Sequence, residues 1–116
     1  MKRIVIIGGA NGTAAVARAL PKTAHISIIQ TPADDGGSGG RLRRQYKMLA
    51  PGDTRRALLA LSRSKDKKRL AEFAHRYESG HLKGHVVGNL ILAGLTELYD
   101  GNFEQAIETA KVALKV

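Results

Sequence analysis

The segment Ala33-Asp34-Asp35-Gly36-Gly37-Ser38-Gly39-Gly40-Arg41-Leu42-Arg43-Arg44 gathers the side chains best suited to chemistry. Adjacent carboxylates at Asp34 and Asp35 can accept from a sugar hydroxyl, hold a metal ion or pair with a basic group. The glycines around Ser38 let the backbone approach a ligand closely. Arg41, Arg43 and Arg44 then offer forked donors that match phosphate or carboxylate geometry. The same composition also suits an exposed loop whose charges neutralise one another. A second glycine cluster, Gly8-Gly9-Ala10-Asn11-Gly12, follows an apolar run. Backbone N–H groups and the dipole of a helix opening there would favour an anion. Its spacing is G-G-x-x-G and not the dinucleotide fingerprint, so a tight strand-to-helix turn without a ligand fits it too.

Two further constellations could contribute. In Pro51-Gly52-Asp53-Thr54-Arg55-Arg56, Asp53 suits the N-cap of a helix running to about Arg63. Arg55 and Arg56 in a first helical turn oppose the macrodipole, and an acidic neighbour or a bound phosphate would offset that cost. His85 and Asn89 are four apart, which places them on one face of an apolar helix spanning about Gly84 to Tyr99. They could face a ligand, or be buried and satisfied by backbone. Position 89 is Asn and His81 lies outside the helix, so there is no two-His metal pair.

These groups need elements to position them. Lys2 to Ile7 is an unbroken β-branched run, the pattern of a strand buried on both faces of a parallel sheet. An alanine-rich helix from Thr13 to Leu20 and a strand from His25 to Thr31 complete a βαβ unit. Asp34 and Asp35 then follow the second strand, at the carboxyl edge where ligands of open parallel sheets bind. The glycine-rich loop continues to Gly40. Helices capped by Asp66, with Leu70, Phe73, Ala74 and Tyr77 on one face, and by Asn102 in a capping box with Gln105 follow. Two strands make a poor sheet for so many helices. The expected fold is therefore α/β, a single, partial Rossmann-like domain over residues 1–116. A missing carboxy-terminal portion or homo-oligomerisation would complete its sheet.

Bulk properties bound the function. With 116 residues, 43% apolar and 25% charged, the chain is of ordinary globular composition and not disordered. It has no cysteine, which removes disulfides and thiolate metal sites and fits a reducing cytoplasm. The first apolar run ends at Gly8, too short for a signal peptide or a membrane span. The net charge of +9 is concentrated between Arg41 and Arg69 and favours anionic partners. The cluster from Arg63 to Arg69 lacks interleaved aromatics and any helix-turn-helix, zinc-finger, RRM or KH signature, so it reads as a solvated helix junction. A nucleic-acid module is accordingly the last of three functional readings.

Ile4-Val5-Ile6-Ile7-Gly8-Gly9, Ala33-Asp34-Asp35-Gly36-Gly37-Ser38, Gly40-Arg41-Leu42-Arg43-Arg44, Pro51-Gly52-Asp53 and Gly84-His85 with Gly88-Asn89-Leu90 occur in that order. The series resembles the bacterial gluconeogenesis-factor (YvcK-like) proteins, relatives of the 2-phospho-L-lactate transferases (CofD-like) of deazaflavin coenzyme synthesis. The resemblance implies a three-layer Rossmann-like fold, of which this chain would be the amino-terminal part. It implies binding of a UDP-sugar such as UDP-N-acetylglucosamine, without catalysis or a required cofactor, and a regulatory role in carbon use, wall synthesis and cell shape. The ligand-binding residues it implies are Gly8, Gly9, Asn11, Gly12, Asp34, Asp35, Gly36, Gly37, Ser38, Arg41, Asp53, Arg55, His85 and Asn89. The transferase branch implies instead movement of a phospholactyl group from a nucleotide donor to a deazaflavin, with Mg²⁺ on Asp34 and Asp35. The chain departs from the family pattern at Ala10-Asn11, Val86 and Arg56, where a glycine-threonine pair, a serine and often an asparagine are usual.

Overall fold

In a computed structural model, which describes residues 1–31 and 36–116, the order is β1 (Arg3–Gly8), α1 (Ala10–Ala19), β2 (His25–Gln30), α2 (Gly37–Tyr46), α3 (Gly52–Leu61), α4 (Lys67–Ala74), α5 (Val87–Leu98) and α6 (Phe103–Leu114). β1 and β2 pair in parallel, with Ile4 opposite Ile26 and Ile6 opposite Ile28. The fold is α/β, with the βαβ unit at its start and helices after it.

Ile6 and Ile28 press onto Ala14 and Ala17 of α1 and Ala60 of α3, where small side chains let two helices lie close to the strands. A second cluster of Leu58, Phe73, Leu92, Ala110 and Leu114 joins α3 to α6. The expectation that β1 is buried on both faces is not met. Both strands alternate between exposed and half-buried residues, and Val5, Ile7 and Ile29 are 58%, 79% and 59% exposed on the second face. A run of β-branched residues reads the same whether or not a neighbour covers it; among the described residues nothing covers this one.

Three boundaries differ from the sequence reading. The glycine-rich segment is helical from Gly37 on. Gly37, Gly39 and Gly40 together cost such a helix about 3 kcal/mol relative to alanine. Tertiary packing offsets this: Leu42 is fully buried, and a Cβ added to Gly39 would lie 3.4 Å from the Gly52 nitrogen. The second boundary is the start of α1 at Ala10, which puts Asn11 and Gly12 in its exposed first turn and not in the loop before it. Third, α4 stops at Ala74 and α5 starts only at Val87. The reason is backbone pairing: Tyr77 N–H donates to the His85 carbonyl and Val87 N–H to the His75 carbonyl, with a bridge between Arg76 and Val86. That pairing holds 84–86 out of the helix and takes Tyr77 off the α4 face. The Asp66 and Asn102 caps form as expected, accepting from the Arg69 and Gln105 amides.

Candidate functional site

Four helices begin at one place beyond the carboxyl ends of the strands. Gly9, the N-cap of α1, lies where an added Cβ would be 3.7 Å from both Asp53 Oδ2 and Thr31 Cγ2. Gly52 opens α3, and a Cβ there would sit 4.0 Å from Asn89 Nδ2 in the first turn of α5. Gly39 of α2 touches the same α3 terminus. The first turn of α2 also meets the start of α5, since Val86 N–H donates to Ser38 Oγ at 3.3 Å. Each positive helix end contributes roughly half an elementary charge, so their convergence makes a field that favours an anion.

Behind these termini lies a buried polar chain. Ser38 Oγ is 2.8 Å from His85 Nδ1 and accepts from Asn89 Nδ2 at 3.2 Å. Arg55 Nε donates to Asn89 Oδ1 at 2.9 Å. Both lone pairs of Ser38 are used by the Val86 and Asn89 donors, so its proton goes to His85 Nδ1. The ring is then neutral and carries its own proton on Nε2, a tautomer assigned by the network. Its pKa agrees: burial, then the Arg41 charge, holds His85 below the usual imidazole value. His85 and Asn89 thus come together without sharing a helix. They meet on a serine 47 and 51 residues away, and not on backbone.

The arginines divide their work. Arg56 pairs with Asp53 at 2.8 Å, which supplies the acidic neighbour its helix position requires. Asp53 is not the N-cap: Pro51 holds that place, and Asp53 sits in the first turn, where a carboxylate favours the helix dipole. Arg55 is buried, and among the described residues no carboxylate pairs with it. Desolvation first, then Arg56 and Arg76, lower its pKa to about 10 against the pull of Asp53. Arg41 donates to the Lys83 carbonyl at 2.8 Å and fastens α2 to the turn preceding His85. Arg76 donates to the Gly84 carbonyl at 2.6 Å from the other side.

Of the sequence-predicted residues, the structure brings together Gly9, Ser38, Asp53, Arg55, His85 and Asn89. Gly8, Gly36 and Gly37 lie at the ends of β1 and α2, while Asn11 and Gly12 lie in the exposed first turn of α1. Asp34 and Asp35 lie outside the described residues. Sequence reasoning did not single out Thr31, Gly52 or Arg76 as neighbours of the site. Gly52, at the foot of a predicted helix, was the one readable signal, because a glycine there permits close approach.

The match to known proteins covers the same ground. The family model described as 2-phospho-L-lactate transferase CofD aligns with residues 4–116. The chain belongs to this family. It is 42% identical over 116 residues to the gluconeogenesis factor of Listeria monocytogenes, a match covering 98% of this chain and 35% of that protein. With the gluconeogenesis factor of Bacillus subtilis it shares 45% identity over 114 residues, covering 95% of this chain and 35% of the relative. A crystal structure of a UPF0052 family member from Bacillus halodurans superposes with a TM-score of 0.87 at 42% identity, over all of this chain and 38% of that one. The chain therefore spans about a third of the length of the curated relatives it matches. No helix among the described residues is long and apolar enough to cross a membrane.

Proposed function

We propose that this CofD-family chain carries the amino-terminal part of a binding site for a nucleotide-diphosphate conjugate, a UDP-sugar of the UDP-N-acetylglucosamine kind. In this reading it belongs to a regulatory, non-catalytic protein of carbon use, wall synthesis and cell shape. The observation that carries it is the meeting of four helix N-termini beside Gly9, Ser38, Gly52 and Asp53. A diphosphate fits such a field, and the glycines let it reach the backbone. Asp34 and Asp35 would take the sugar or ribose hydroxyls, and Arg41 would approach the diphosphate from α2. The name of the relatives supports the regulatory role.

Calorimetry with UDP-N-acetylglucosamine tests it. Gly9 has a φ of −161°, which any residue adopts, and room for a Cβ. Gly9→Asp should therefore fold normally and lose the binding heat, because it puts a carboxylate in the anion's place. A folded wild-type chain that gives no heat with any nucleotide sugar overturns the reading. A second reading, phospholactyl transfer to a deazaflavin, is favoured by the family's own description. In this reading Mg²⁺ would rest on Asp34 and Asp35, as the resemblance to the transferase branch implies. Mg²⁺-dependent product formation from a nucleotide-activated donor would decide for it.

A further inference from the structure

Arg56 has more donors than its ion pair uses. It lies one turn into α3 and reaches back toward the helix start, where Nη1 donates to Asp53 Oδ1 at 2.8 Å. Among the described residues no other hydrogen bond engages its guanidinium, so the rest of that fork is unspent. The side chain is 27% exposed against 7% for Asp53, so the guanidinium reaches the surface while the carboxylate beneath it stays buried. Nη1 is 3.5 Å from where a Cβ on Gly52 would lie, and Asp53 Oδ2 is 3.7 Å from the same point on Gly9. The ion pair therefore stands between the N-termini of α3 and α1.

The local charges decide what such a placement can do. Asp53 alone would meet an incoming diphosphate as a like charge, a conflict that a divalent cation between carboxylate and phosphate commonly resolves. Arg56 resolves it with a side chain, because it neutralises Asp53 and still has donors to offer. Arg55 adds a second cation close by; burial and then Arg56 hold its pKa down to about 10, so it stays charged at neutral pH. Two guanidinium groups against one carboxylate leave the helix termini with positive charge to spare. We propose that Arg56, held in place by Asp53, binds the ligand's diphosphate where a divalent cation would otherwise stand, so that anion binding here needs no metal. The inference rests on the nucleotide-diphosphate reading above and adds to it the residue that neutralises the phosphates. An arginine suits the task because its planar fork can hold a carboxylate by one edge and a phosphate by another.

The test is calorimetry with UDP-N-acetylglucosamine in EDTA and again in Mg²⁺, on the wild type and on Arg56→Gln. The wild type should bind equally in both. Arg56→Gln should bind about tenfold more weakly in EDTA, and Mg²⁺ should restore most of the loss by taking the vacated place beside Asp53. An ion pair that only held the helix together would bring no such rescue. Circular dichroism checks the fold of each variant. Where Arg56→Gln does not fold, Arg56→Lys keeps Asp53 paired. Its single ammonium should still cost about threefold or more in EDTA, and wild-type affinity there would count against the proposal. A wild type that binds only with Mg²⁺ overturns the role of Arg56 and leaves the functional reading intact. So does a folded Arg56→Gln that binds as the wild type does, or that Mg²⁺ does not rescue. A wild type that gives no heat with any nucleotide sugar, with or without Mg²⁺, overturns the reading of the site and the inference with it.

Discussion

The two ends of this molecule invert the usual distribution of residues. Where α2, α3 and α5 meet, the buried side chains are polar: Ser38, Arg55, His85 and Asn89, each bonded to another of the four. On the open side of the sheet the exposed side chains include the apolar Val5, Ile7 and Ile29 beside Arg3, His25 and Ser27. The contrast teaches that burial by itself does not mark a finished surface. The polar hub is complete in that, among the described residues, no fully buried side-chain nitrogen or oxygen lacks a hydrogen-bond partner. The strands are open by comparison: among the described residues nothing covers Val5, Ile7 and Ile29.

Substitutions at the two ends should therefore have very different effects. The largest is expected at Gly88, where an added Cβ would lie 2.6 Å from the Phe73 carbonyl oxygen and 2.8 Å from Arg55 Cδ. Gly88→Ala should cost about 3 kcal/mol by overpacking, read as a lowered urea midpoint. Next comes Asn89→Ala, which leaves Arg55 Nε and Ser38 Oγ each short of a partner. A loss of about 2 kcal/mol is expected, and a loss below half of that would mean that water replaces the amide.

Acid should loosen the same hub more gently. His85 binds its proton less readily in the folded state than in the unfolded one, because of burial and Arg41. The unfolded chain therefore takes up more protons below about pH 6.5, the ordinary imidazole value. Stability is full above that pH and falls as pH drops through the lower folded value. Denaturation midpoints measured across pH 7.5 to about 5 should show this slope, and His85→Gln should remove it. The smallest effect belongs to the open face: Ile7→Thr should change the stability of the isolated chain by less than about 0.5 kcal/mol. A loss comparable to Asn89→Ala would mean that the face is covered in solution, and would blur the contrast.

Much of the arrangement was legible in the residues. The βαβ start, the Asp66 and Asn102 caps and the apolar stripe of α6 follow from local periodicity and capping chemistry, which depend on near neighbours in sequence. Gly8, Gly9 and the Ser38 region were readable as a candidate place for an anion because glycine lets a ligand reach the backbone, although a plain strand-to-helix turn uses glycine too. Propensity misled at α2, where three glycines in ten residues argue against a helix that Leu42 and the Gly39–Gly52 contact nonetheless hold.

What only the tertiary structure decided depends on pairs far apart in the chain. Ser38 reaching His85 and Asn89 and, among the described residues, Arg55 turning to Asn89 and not to a carboxylate are long-range choices. So is the start of α5 at Val87, set by pairing with the residues after α4. The sequence alone determined that residues able to bind an anion follow each strand. Close packing decided which of them face the site and which are tied up behind it, because a hydrogen bond is specified by the three-dimensional position of its partner and not by spacing along the chain.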